Sequence, residues 1–275
     1  MKTLVIPSNL KIIDKLNCDG VIIGIKDLSI NMPCYFEVED LNKIDKEVFV
    51  CLNKNIHNNE LELLEKTLIK LKDYKIKGII FYDIAVVNLV KRLNLDFDLV
   101  WSQEHMTNNY YTVNFWNSNN VKYTWVSNDI TLREMKEIKD NTESKLMVTL
   151  FGYIPMMASR RHLVKNYLNT FNLKDESKIN YIEKEGNTYP LIDEKHGTIC
   201  YTSFILNGLK EKLLLNYDYI ILNSFLIEDD KFIEVLDMFN KVNEDNVDEL
   251  EEQINNMFDN TKKGFFYEET VYKVK

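Results

Sequence analysis

Eight short apolar runs, rich in β-branched residues, recur along the chain with no polar alternation inside them. They are TLVIP from residue 3, GVIIGI from 20, EVFVCLN from 47, GIIFYD from 78, DLVWSQ from 98, KYTWVS from 122, KLMVTLFG from 145 and YDYIILNS from 217. A strand with one wet face alternates apolar and polar residues. A run that does not alternate is covered on both faces, as the strands of a parallel sheet are. Helical patterns lie between most of the runs. NNELELLEKTLIKLKDY sets Leu61, Leu64, Leu68 and Leu71 at helical spacing, with acids in the first turn. IAVVNLVKRL and SNDITLREMKEIKD follow the same logic, the latter with Asp129 as the expected N-cap and Arg133 and Glu134 just inside.

Strand and helix repeated in this way give either a closed barrel or an open doubly wound sheet. Eight strands in 275 residues favour the barrel, a fold of typically about 250 residues. No glycine-rich turn follows the first strand, so nothing supports a Rossmann phosphate loop. The expected fold is α/β, a TIM-like (β/α)8 barrel that forms a single domain over residues 1–275. One segment interrupts the alternation. Residues 172–204 read as a β-hairpin insertion between strands 7 and 8, with β-formers around an EGNT turn. In a barrel such an insertion sits at the C-terminal face, where sites are built. The tail KKGFFYEETVYKVK is expected to form a last strand that packs back onto the body.

A hydrophobic fraction of 45% is ample for a large core, and the net charge of -9 opposes nonspecific nucleic-acid binding, which needs a broad positive surface. Residues 243–253 hold six acids and no base and read as the solvated face of a late helix. No signal peptide and no run of about 18 apolar residues is visible, so a cytoplasmic protein without a membrane span is expected. Cys18, Cys34, Cys51 and Cys200 have no close spacing of the zinc-ribbon or thioredoxin type.

Residues at the C-terminal ends of barrel strands face the site. That rule collects Asn53, Asp83, Gln103, Glu104, His105, Ser127, Asn128, Arg160, Arg161, His162, Asn223 and Ser224. Glu104 beside His105 in SQEHMT offers a general acid and base near neutral pH. The pair lacks the two-histidine spacing of a zincin, no metal is expected, and no G-x-S-x-G elbow occurs. ASRRHLVKN gathers Ser159, Arg160, Arg161 and His162 before a helical pattern. Paired arginines bind phosphate or carboxylate bidentately, and a following helix adds its N-terminal dipole. Asn53, Asp83 and this turn are the expected substrate-binding residues. The bland alternative for the arginines is a set of surface salt bridges with the hairpin acids.

FGYIPMMASRRHLVKNY resembles the signature of the U32 peptidase family. Gly152, Ile154, Ser159, Arg161 and Val164 fall on its pattern, while its two cysteine positions hold Pro155 and His162 and its glutamate position holds Met147. CDGVIIGIKDLSIN resembles an early strand of the family, YPLIDEKHGTICYTSF its later hairpin, and KGFFYEETVYKVK the tail of short, barrel-only members. The resemblance implies a TIM-like barrel. Members were named as collagenase-like proteases, and others act in RNA hydroxylation or, as a pair, in ubiquinone synthesis. Several hold an iron-sulfur cluster on four cysteines. With Pro155 and His162 at the signature positions, a cluster of that kind is not expected here. The resemblance implies action in tRNA uridine hydroxylation together with a cysteine-bearing paralogue as partner. Its alternatives are a peptidase acting on a peptide and a non-catalytic binding barrel.

Overall fold

The computed structural model describes residues 1–103, 105–174 and 177–268. The first half runs β1 (Lys2–Ile6), β2 (Gly20–Gly24), β3 (Glu47–Leu52), α1 (Leu61–Leu71), β4 (Gly78–Phe81), α2 (Ile84–Arg92), β5 (Leu99–Ser102), α3 (Tyr110–Ser118), β6 (Tyr123–Trp125), α4 (Leu132–Asp140) and β7 (Lys145–Gly152). The second half runs β8 (Pro155–Ser159), α5 (Leu163–Thr170), β9 (Asn180–Lys184), β10 (Asn187–Glu194), β11 (Gly197–Tyr201), β12 (Ile205–Asn207), α6 (Leu209–Leu214), β13 (Tyr219–Asn223), α7 (Asp229–Lys241), α8 (Val247–Met257) and β14 (Thr261–Lys262).

Each of the eight apolar runs forms a strand. Among the described residues β1 to β7 pair in parallel in chain order, and β13 joins β7 to β1 to close a (β/α)8 barrel. The closure needs Gly152. Its φ is +114°, and a Cβ there would lie 2.4 Å from the Asn223 carbonyl oxygen, where the β7–β13 register slips between Ile221 and Leu222. The first two connections carry short 3₁₀ turns, Leu10–Lys15 and Val38–Lys43, in place of α-helices.

The barrel interior is filled by alternate residues such as Leu4, Ile22, Ile80, Val100, Met147 and Ile221. At its N-terminal end Phe49 packs edge-on against Tyr123 and Tyr219, with centroids 5.8 and 5.5 Å apart. Lys145 stands over the Tyr123 ring at 5.2 Å. This plug leaves the opposite mouth as the place for a site. Outside the barrel, Leu64, Leu68 and Leu71 of α1 are buried against the sheet at the spacing read from the sequence. On the other side Met135 of α4 and Phe232, Leu236 and Phe239 of α7 fill a second layer. Thr131, not Asp129, caps α4: its hydroxyl accepts from the Glu134 N–H at 3.3 Å, and the Glu134 carboxylate accepts from the Thr131 N–H at 2.8 Å.

The insertion is larger than a hairpin. Among the described residues β8, β11, β10 and β9 form an antiparallel sheet in that order, with α5 packed on β10 and β11. The expected hairpin is its β9–β10 half. It turns at Glu185 and Gly186, with φ of 53° and 75°, the pair of left-handed residues that suits a two-residue hairpin turn. Of the expected last strand over residues 262–275, Lys262 alone is extended, pairing with β12 together with Thr261 before it; residues 263–268 turn instead of forming a strand, and residues 269–275 lie outside the described residues. Among the described residues no helix is long and apolar enough to cross a membrane.

Candidate functional site

The C-terminal mouth of the barrel holds a cavity of about 690 Å³, counting its open side. Ile6, Met32 and Cys51 form its floor, where the last interior layer of the barrel ends. Its walls are amides and hydroxyls from successive strand ends: Asn53, Ser102, Ser127, Asn128, Thr149 and Asn223. Neither lysine nor arginine lines it among the described residues. The wall is internally braced. Trp125 donates from Nε1 to Thr149 Oγ1 at 3.1 Å, and Asn128 donates to the Thr149 carbonyl at 2.8 Å. Asn53 is buried and grips Ile30 through both backbone groups, each at 2.9 Å. It thereby fixes the β2–β3 connection, from which Asn31 also reaches the cavity.

At the rim His105 Nδ1 lies 2.5 Å from Asp129 Oδ2. A carboxylate on Nδ1 fixes the ring and leaves Nε2 as the atom able to exchange a proton. Sequence adjacency suggested Glu104 as the partner of His105. Glu104 lies outside the described residues; among the described residues a carboxylate 24 positions downstream lies on the histidine. Asp129 is placed by its own backbone N–H, which donates to Ser127 Oγ at 3.1 Å.

Asp83 works locally. Its carboxylate caps α2 through the Ala85 N–H at 2.9 Å and holds the Ile56 N–H at 2.8 Å. Ser159 and Arg160 face a second, smaller cavity between the barrel and the added sheet. Arg161 is exposed and lines neither cavity. His162 precedes α5, with Nδ1 4.0 Å from Asp193 Oδ2. The N-terminus of α5 already has its anion: Asp193 accepts from the Lys165 N–H at 3.0 Å, and Thr198 Oγ1 accepts from the Leu163 N–H at 2.7 Å.

Pro155 opens β8, and His162 follows its end by three residues. The four cysteines of the chain do not converge. Cys51 is inside the barrel, Cys200 is in β11, and Cys34 lies 3.6 Å from the Pro7 carbonyl. Burial pushes the Cys34 thiol up to about 12, and burial raises Cys18 to about 11 against the pull of Lys46. These thiols are protonated and poor ligands. A four-cysteine cluster does not fit this residue set.

A closed (β/α)8 barrel with a sheet inserted after β7 and an amide- and hydroxyl-walled cavity at its C-terminal mouth defines the class of protein. The chain belongs to the U32 peptidase family: the family model described as Peptidase family U32 matches residues 9–214. It is 27% identical over 263 residues to the tRNA hydroxylation protein P2 of Bacillus subtilis, covering 86% of this chain and 84% of that protein. It is 22% identical over 167 residues to the tRNA hydroxylation protein P1 of the same organism, covering 58% of this chain and 40% of that protein. The solved structure of the U32 peptidase Mk0906 has the same fold, with a TM-score of 0.53 at 12% identity, over 81% of this chain and 92% of that one.

Proposed function

We infer that this chain acts in tRNA hydroxylation in the cytoplasm, with the barrel-mouth cavity receiving the target uridine base. The observation that carries the reading is the character of the cavity. Its polar wall is mainly amide and hydroxyl groups, with His105 and Asp129 at the rim and no lysine or arginine among its described residues, which suits a neutral ring that both donates and accepts hydrogen bonds. Single-stranded loops of RNA can splay such a base out, and Trp125 and Tyr153 at the wall offer aromatic faces for it. The names of the Bacillus subtilis relatives point the same way. His105, oriented by Asp129, is the proton-exchanging group at the rim, and Asn53 holds the wall. With no cysteine set for a cluster, this chain binds and presents the base, and a cysteine-bearing paralogue supplies the redox chemistry.

The test is mass spectrometry of nucleosides from the tRNA of a strain lacking this gene. Loss of a hydroxylated uridine, restored by the parent gene and not by His105→Ala, is the expected result. An unchanged profile removes the reading and leaves peptide hydrolysis or a binding role.

A further inference from the structure

The second cavity lies at the seam between barrel and added sheet and measures about 490 Å³ with its opening. Lys54 and Asn55 reach it from the loop after β3, Ser159 and Arg160 from the end of β8, and His196 from the β10–β11 turn. The Lys54 side chain is 5% exposed. Its ammonium donates to the Asp27 carbonyl at 2.8 Å and to Glu60 at 2.5 Å. An ammonium has three donors, so one has no partner among the described residues. Arg160 reaches the Asn55 carbonyl at 3.5 Å, the outer limit of a hydrogen bond, and pairs with no carboxylate among the described residues.

The carboxylates nearby are already engaged. Glu60 holds Lys54 and the His57 N–H, Asp27 holds Lys195 at 2.5 Å and lies 3.8 Å from His196 Nε2, and Glu194, itself in the lining, accepts from the Tyr35 hydroxyl. Burial, with Lys54 and Lys195 close by, pushes His196 below its usual pKa and keeps it neutral, with one ring N–H to give. Lys54 and Arg160 therefore bring donors to the cavity that its carboxylates do not take up, and His196 lies beside them in the lining.

We propose that this second cavity is an oxyanion site that takes a phosphate or carboxylate group on Lys54, Arg160 and His196. It stands on this cavity alone and does not depend on the tRNA reading. Of the two adjacent arginines Arg160 serves it, and the other ligands come from two distant segments that folding brings to the seam.

The test titrates the full chain with orthophosphate at constant ionic strength and follows the imidazole Cε1–H signals, with His196 assigned through His196→Gln. Phosphate is expected to move the His196 signal saturably and leave His105 in place. Arg160→Gln weakens binding about tenfold or more, while Arg161→Gln changes it less than about twofold. Lys54→Met with Glu60→Gln removes both members of the buried pair and also weakens binding. Displacement by benzoate or by a sugar phosphate supports the site and tells which kind of oxyanion it prefers. An absence of saturable binding, parent-like affinity in folded Arg160→Gln, or a shift at His105 without one at His196 overturns the proposal.

Discussion

Lys54 and Glu60 show how one residue can hold a seam. Burial alone would raise the Glu60 carboxyl, but the Lys54 ammonium and the His57 N–H outweigh it and hold it below the usual carboxylate range. Removing one member strands the other's charge in a poorly solvated place. Glu60→Gln is expected to cost about 3 kcal/mol, and Lys54→Met in the same chain to recover most of that loss, both read from urea unfolding. His196 supplies a pH dependence. Its folded-state pKa is lowered, chiefly by burial and then by Lys54 and Lys195, against the opposing pull of Asp27 and Glu60. The unfolded chain therefore takes up this proton first as pH falls. The stability contribution is full above about pH 6.5 and is lost as pH drops through that value toward the folded pKa. The urea midpoint should fall between pH 7.5 and 5.5, and His196→Gln should flatten part of that slope. Identical slopes in the two proteins would show that the histidine is not buried in this way.

At the scale of elements, local chemistry decides the ends. Thr131→Ala removes the hydroxyl half of the α4 capping box and should cost about 1 kcal/mol. In the β9–β10 hairpin a glutamate occupies a left-handed position at Glu185. Asparagine tolerates that conformation better, so Glu185→Asn should raise stability by about 0.5 kcal/mol, measured by urea unfolding. The barrel strands were legible because burial on both faces writes itself as an unbroken apolar run. The added sheet was only half legible. β9 and β10 carry their own turn and β10 and β11 a second one at Lys195 and His196, whereas β8 has the mixed sequence PMMAS. The burial of β11 comes from long-range pairing with β8 and from packing on Phe225, which no local pattern records. The site divides in the same way. The strand-end rule named His105, Asn53 and Asn128, which line the cavity, but Asp129, Lys54 and His196 meet their neighbours only through the fold. Asp129 looked like a cap because it stands two residues before the true one.

For the whole molecule, the question is whether sheet and barrel act as one domain. Side-chain contacts tie the sheet to the β2–β3 connection: Tyr35 donates to Glu194, Lys195 pairs with Asp27, His196 Nε2 lies 3.8 Å from the same Asp27 carboxylate, and Tyr201 donates to Asn31. Behind them Ile199 and Tyr201 pack on Phe225, with the Tyr201 and Phe225 rings stacked 4.6 Å apart. Asn31 and Asn53 then carry the connection into the cavity wall, so the sheet braces the mouth of the barrel as well as covering part of it. Such coupling predicts one cooperative transition over both parts. Trp101, Trp116 and Trp125 all belong to the barrel and its helices, so their fluorescence reports the barrel, while hydrogen exchange at β11 amides reports the sheet. In the parent the two should give the same unfolding free energy. Tyr35→Phe with Tyr201→Phe removes two hydrogen bonds worth about 1 kcal/mol each. It should let β11 exchange through a local opening well below the global free energy, with the tryptophan transition moved much less. If β11 already exchanges far below the global limit in the parent, the sheet is a separate unit and the cavity wall does not depend on it.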